Sequence, residues 1–206
     1  MSSSEGSWIP SFCDRPGNEF FCEVDESFII DRSNLIGLKD QVPHYEYALE
    51  LILGLDPDED EARARLSQSM IGEQVTQTLY GLIHARYILT GGGIDQMMIK
   101  WRNGDFGFCP RFYCEKQNLL PVGISDIPKV STVKLFCPSC VDIYTPINEY
   151  HQEIDGAFFG TGFPHMFFFE HPELKPRRSV INFVPRTMGY TPLAPNVYNT
   201  FNNIIS

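Results

Sequence analysis

Apolar and polar positions alternate with different periods in different parts of this chain. Tyr45, Ala48, Leu49, Ile52 and Leu53 recur at helical spacing. Pro43 suits the start of that helix, and Gly54 and Pro57 its end. From Gln68 to Leu89 the residues Ile71, Val75, Leu79, Leu82, Ile83 and Tyr87 mark one apolar face of a long amphipathic helix. Gly91-Gly92-Gly93 reads as the cap and turn that end it. Ile94, Met97, Met98 and Trp101 predict a further helix that stops near Gly104. The stretch Ser27–Leu38 predicts only small helices. Beyond Gly104-Asp105-Phe106-Gly107 the helical period is lost. Thr132–Phe136 alternates and reads as a strand.

That strand runs into the main chemical signal of the sequence. Cys109 and Cys114 are separated by four residues, Cys137 and Cys140 by two, and twenty-two residues lie between the pairs. Thiolates are soft ligands, and four of them complete a tetrahedral Zn²⁺. The spacing is a close variant of the ribbon pattern, which has two residues inside both pairs and a shorter gap. The alternatives are ordinary buried cysteines or two disulfides. Four thiolates leave no open coordination position, so the expected zinc is structural. Cys13 and Cys22 lack the partners of an activated thiolate and read as small packed hydrophobes.

Composition narrows the function. The chain has 206 residues and a net charge of −10. Direct nucleic-acid binding is not expected, because phosphate contacts need a basic surface. No apolar run approaches the roughly 20 residues that span a bilayer, and no basic-then-apolar leader opens the sequence, so neither membrane nor secretion is expected. The first 61 residues hold fifteen Asp and Glu against three Arg and Lys. Asp56, Asp58, Glu59, Asp60 and Glu61 crowd around Pro57. This segment reads as a solvated loop, or as a docking surface for basic substrates or polyamines. No nucleophile elbow, metalloprotease helix, phosphate-binding loop or kinase catalytic motif occurs. The five histidines are scattered, and His84 on the long helix reads as a core residue. A non-enzyme is expected.

Several blocks then resemble the regulatory beta subunit family of casein kinase II. They include Trp8-Ile9, Gly17 through Asp25, Gln41 through Tyr45, Leu79 through Leu89, Gly104 through Gly107, both cysteine pairs, Asp155 through Phe158, and Gly160 through Met166. The resemblance implies a homodimer joined through the zinc domain. It implies a C-terminal tail that recruits the catalytic kinase subunit, giving a tetramer of two regulatory and two catalytic chains. The regulatory chain would stabilise the kinase and modulate substrate choice in cytoplasm and nucleus. Kinase contacts fall at Met166, Met188 and Tyr190. Phosphorylation by the partner kinase falls at Ser2 or Ser3, where Ser2-Ser3-Ser4-Glu5 keeps a serine three residues before an acid.

The sequence departs from that family in three places. Met188 stands where the tail hairpin usually carries the first of two aromatics around a glycine. Glu46 and Tyr47 replace an arginine-bearing segment that resembles a degradation box, so that function is not carried over. Ile147 through His151 is less basic than usual. Such departures fit a divergent paralogue. The expected fold is α+β: a helical domain over residues 1–104, a zinc-ribbon dimerisation domain over 105–165, and an extended tail over 166–206. The rival reading is a stand-alone zinc-ribbon adaptor that does not bind the kinase.

Overall fold

In a computed structural model, described for residues 8–55 and 70–176, the chain is α+β, with helices followed by one small antiparallel sheet. Its centre is a helix that packs on nearly every side. Helices α1 (Trp8–Cys13), α2 (Glu26–Ile30) and α3 (Tyr45–Ile52) precede α4 (Met70–Tyr87), which is followed by α5 (Gly91–Asn103). Val75, Leu79, Leu82, Ile83 and Tyr87 of α4 are buried, as the periodicity predicts. Ile71 is exposed instead, because it lies in the first turn, before the helix enters the core. Thr76, Tyr80, Gly81 and His84 are buried as well, so α4 is enclosed well beyond one apolar stripe.

The glycine run is placed differently from the expectation. Gly91, Gly92 and Gly93 form the first turn of α5 rather than the end of α4. Thr90 is the cap: its side chain accepts from the Gly93 amide at 3.3 Å. A Cβ on Gly93 would lie 2.2 Å from the Tyr87 carbonyl oxygen, so close approach of the two helix ends requires glycine there. Gly104, at φ +79°, closes α5 in the left-handed region as expected.

Strands β1 (Leu120–Val122), β2 (Lys134–Cys137) and β3 (Asp142–Tyr144) follow in simple antiparallel order, with Leu120 opposite Phe136 and Phe136 opposite Ile143. A one-turn helix α6 (Glu149–Gln152) and helix α7 (Phe163–Glu170) complete the described chain. The α7 helix was not legible in the sequence. Phe163, Phe167 and Phe168 are buried, and apolar residues surround the helix, so no polar face marks a period. One hydrophobic cluster runs through residue 104, from Leu79 and Ile83 of α4 to Leu120, Val133 and Phe159. Trp101 and Asn118 tie the same junction by two hydrogen bonds, Trp101 Nε1 to the Asn118 carbonyl at 3.2 Å and Asn118 Nδ2 to the Trp101 carbonyl at 2.6 Å.

Candidate metal centre and its surroundings

The two cysteine pairs reach one point because two tight turns aim them there. After Cys109 the chain enters a short 3-10 turn, Phe112–Cys114, followed by Glu115 and Lys116 at φ +50° and +57°. The Cys109 amide donates back to the Gln117 carbonyl at 2.8 Å, so the excursion begins and ends at the same place. On the other side, β2 ends at Cys137 and β3 begins at Asp142. The Val141 amide donates to the Cys137 carbonyl at 2.9 Å, and Val141 sits at φ +56°. A β-branched residue in the left-handed region is strained. The strain persists because this turn must bring Cys137 and Cys140 to the same side.

The Sγ atoms of Cys109, Cys114, Cys137 and Cys140 lie within 4.8 Å of one another. All six cysteines are free thiols, which removes the disulfide alternative. Cys109, Cys114 and Cys137 are buried and Cys140 is half-buried. The donor set suits a soft tetrahedral cation. Charge in the cluster is unevenly tolerated while the groups are thiols. Burial pushes Cys114 up to about 11 and raises Cys137 further, with neighbouring thiols adding to the effect. Burial also opposes ionisation of Cys109, but the Arg111 amide and the Tyr144 hydroxyl outweigh it and hold that thiol below its ordinary value. A bound cation reverses this balance, because it stabilises all four thiolates at once.

Several groups around the sulfurs are invisible to cysteine spacing. The Tyr144 hydroxyl lies 3.2 Å from Cys140 Sγ. Arg111 pairs with Asp142 at 3.1 Å and ties the two cysteine turns together. Around the module Phe108, Phe112, Tyr113, Ile124, Ile127, Val130 and Ile147 are exposed, Phe112 at 89 % and Ile147 at 95 %.

The remaining predicted site residues lie elsewhere. Met166 is half-buried on α7 and packs against the main cluster. Ser2 and Ser3, the acidic run Asp56, Asp58, Glu59, Asp60 and Glu61, and the tail residues Met188 and Tyr190 lie outside the described residues. Tyr47 is buried and Glu46 accepts from Lys39 at 2.9 Å, so both contribute to the fold. Cys22 is a packed core residue as expected. His84, also as expected, is wholly buried: its Nε2 accepts from the Cys22 amide at 3.2 Å, which leaves Nδ1 to donate to the Phe158 carbonyl at 2.8 Å. Burial pushes this imidazole down to about 4 and holds it neutral.

Comparison with known proteins agrees with this architecture. The family model described as Casein kinase II regulatory subunit matches residues 7–191. Casein kinase II subunit beta' of Drosophila melanogaster is 49 % identical over 201 residues, covering 96 % of this chain and 89 % of its own. Casein kinase II subunit beta-3 of Arabidopsis thaliana is 50 % identical over 193 residues, covering 92 % of this chain and 70 % of its own. Casein kinase II subunit beta of Schizosaccharomyces pombe is 51 % identical over 185 residues, covering 89 % of this chain and 78 % of its own. The match spans the core helices and both cysteine turns, and the chain belongs to the casein kinase II regulatory subunit family.

Proposed function

We propose that this chain is a non-catalytic regulatory subunit that dimerises with itself and holds catalytic subunits of casein kinase II. The observation that carries the reading is the family match, which spans residues 7–191 and so includes the tail positions Met188 and Tyr190. Cys109, Cys114, Cys137 and Cys140 hold one structural zinc, for which the clustering of four thiols is the support. The exposed aromatic and aliphatic side chains around that module form the self-association surface, since apolar patches of this kind mark interfaces. The tail recruits the kinase with Tyr190 as main anchor, Met188 as a flexible secondary contact, and Met166 nearby. The acidic run 56–61 receives basic substrates or polyamines, Ser2 and Ser3 take phosphate from the kinase, and the complex works in cytoplasm and nucleus.

The test is light scattering of the chain alone and mixed with a catalytic subunit. A dimer alone, and two chains of each kind in the mixture, are expected. Tyr190→Ala should weaken kinase binding by roughly ten- to a few hundredfold, about 1.4–3 kcal/mol, with the homodimer intact. Unchanged binding would remove the tail from the reading. No complex at all with the catalytic subunit would favour the zinc-ribbon adaptor.

A further inference from the structure

Four thiolates around a divalent cation carry a net charge of −2. That charge must be held in a module whose sulfurs are mostly buried. The Arg111 guanidinium, on the first cysteine turn, is matched by Asp142 at 3.1 Å. Compensation therefore falls to hydrogen-bond donors at the sulfurs, which are weak singly but act at contact distance. Two sulfurs face such groups on the backbone of their own turns, Cys109 the Arg111 amide and Cys137 the Ser139 and Cys140 amides, while Cys114 faces the Ser139 side chain of the other turn. Backbone amides of this kind come with the turns and need no particular side chain.

Cys140 differs from the others. It is the half-buried ligand, and its donor is the Tyr144 hydroxyl at 3.2 Å. The Cys109 sulfur lies 3.8 Å from that of Cys140, so charge offset at one is felt at the other. A metal-bound thiolate has no proton to give, so the phenol must be the donor in its contact with Cys140. Tyr144 stands at the end of β3, which pairs with β2 beside Cys137. Its ring packs against the main hydrophobic cluster, so its hydroxyl is held by the fold.

We propose that Tyr144 is a positioning residue of the metal centre, whose hydroxyl donates to the Cys140 thiolate, offsets its charge and slows loss of the ion. This rests on the reading of the four cysteines as a metal site. It predicts that Cys140 is the ligand at which the metal is most readily lost, because it is the half-buried one and its compensation hangs on one side chain.

The experiment compares the full-length chain with Tyr144→Phe, which keeps the ring and removes the hydroxyl. Tyr113→Phe, a hydroxyl removed elsewhere on the same module, is the control. Metal content is measured first, followed by the rate of zinc transfer to a chromophoric chelator. The sulfur-to-metal charge-transfer band is then recorded in the cobalt-substituted protein. One zinc per chain is expected in all three proteins. Zinc transfer should be about tenfold faster in Tyr144→Phe, and its band should move to longer wavelength, since a thiolate without its donor is more easily oxidised. Tyr113→Phe should change neither. Faster transfer with an unmoved band would mean that the hydroxyl supports the module's fold rather than donating to a thiolate, and would overturn the proposal. Equal rates would overturn it as well. A parent chain that binds no metal would overturn the metal site itself, and Tyr144's role with it.

Discussion

The helical part of the chain and the cysteine module stabilise irregular backbone in opposite ways. Residues 20–25 have no regular secondary structure, yet Phe20, Phe21, Cys22 and Val24 are buried. Their backbone groups would be orphaned without partners. Side chains of α4 supply them: the Tyr80 hydroxyl donates to the Cys22 carbonyl at 2.9 Å and accepts from the Val24 amide at 3.2 Å, while His84 accepts from the Cys22 amide. The cysteine module has no such helix. Its strands are three or four residues long, and its cysteine turns hold three non-glycine residues at positive φ, Glu115, Lys116 and Val141, a geometry kept only if something ties the sulfurs together. One region is fixed by neutral groups buried in an apolar core, the other, on the proposed reading, by charges gathered on an ion. They should therefore fail under different insults.

The largest effect should come from removing ligands. Cys109→Ser with Cys140→Ser should abolish metal binding, at a cost drawn from the roughly 10–16 kcal/mol of apparent binding free energy at structural zinc sites. Hydrogen exchange should then show loss of protection over residues 105–145, with the amides of α4 and α5 protected more than the module's. Uniform loss throughout the chain would mean that the two regions do not fail separately.

Acid should strike the helical core through His84. Its folded value of about 4 lies below the ordinary 6.5, so between these limits the unfolded chain binds more protons than the folded one. Stability is complete above pH 6.5 and is lost progressively as pH falls to 4, by up to about 3 kcal/mol. Metal release at low pH adds to this, so the measurement is a difference between parent and His84→Gln across that range. Parallel pH profiles would show that His84 is not the group responsible.

The contact between the regions can be probed at Gly81. Its position faces the Phe158 ring, and an added Cβ would fall 2.3 Å from it. Gly81→Ala should push the Gly156–Phe158 turn off α4 and lengthen the His84 bond to Phe158. A cost of about 1–3 kcal/mol is expected from overpacking, read as a lowered melting temperature with metal content unchanged.

Smallest and opposite in sign is Val141→Gly. Glycine relieves the left-handed strain at φ +56°, so the module should gain up to about 1 kcal/mol. Slower metal loss from this variant would sharpen the contrast with α4, where glycine positions are set by close packing rather than by turn geometry. Faster loss would show that the valine side chain contributes more than its backbone costs.

Much of this was legible in the sequence because it depends on local rules. The α4 helix, the stop at Gly104, the β2 strand and the four cysteines each carry a periodic, capping or spacing signal. Cysteine chemistry specifies its own neighbours, so the four members of the cluster could be named before any fold was known. What the sequence could not show depends on residues meeting across long distances. Gly91–Gly93 reads as a terminator in isolation, and only the approach of α5 to the Tyr87 carbonyl makes it a helix start. The α7 helix shows no helical period because Phe169 on its exposed side is as apolar as the buried Phe163, Phe167 and Phe168. His84 was recognisable as a core residue, but its neutral tautomer is fixed by an amide 62 residues away and a carbonyl 74 residues away. Tyr144 is one tyrosine among nine in the sequence. Only the pairing of β3 with β2 carries its hydroxyl to the sulfurs, since a hydrogen bond requires a distance that spacing along the chain does not set.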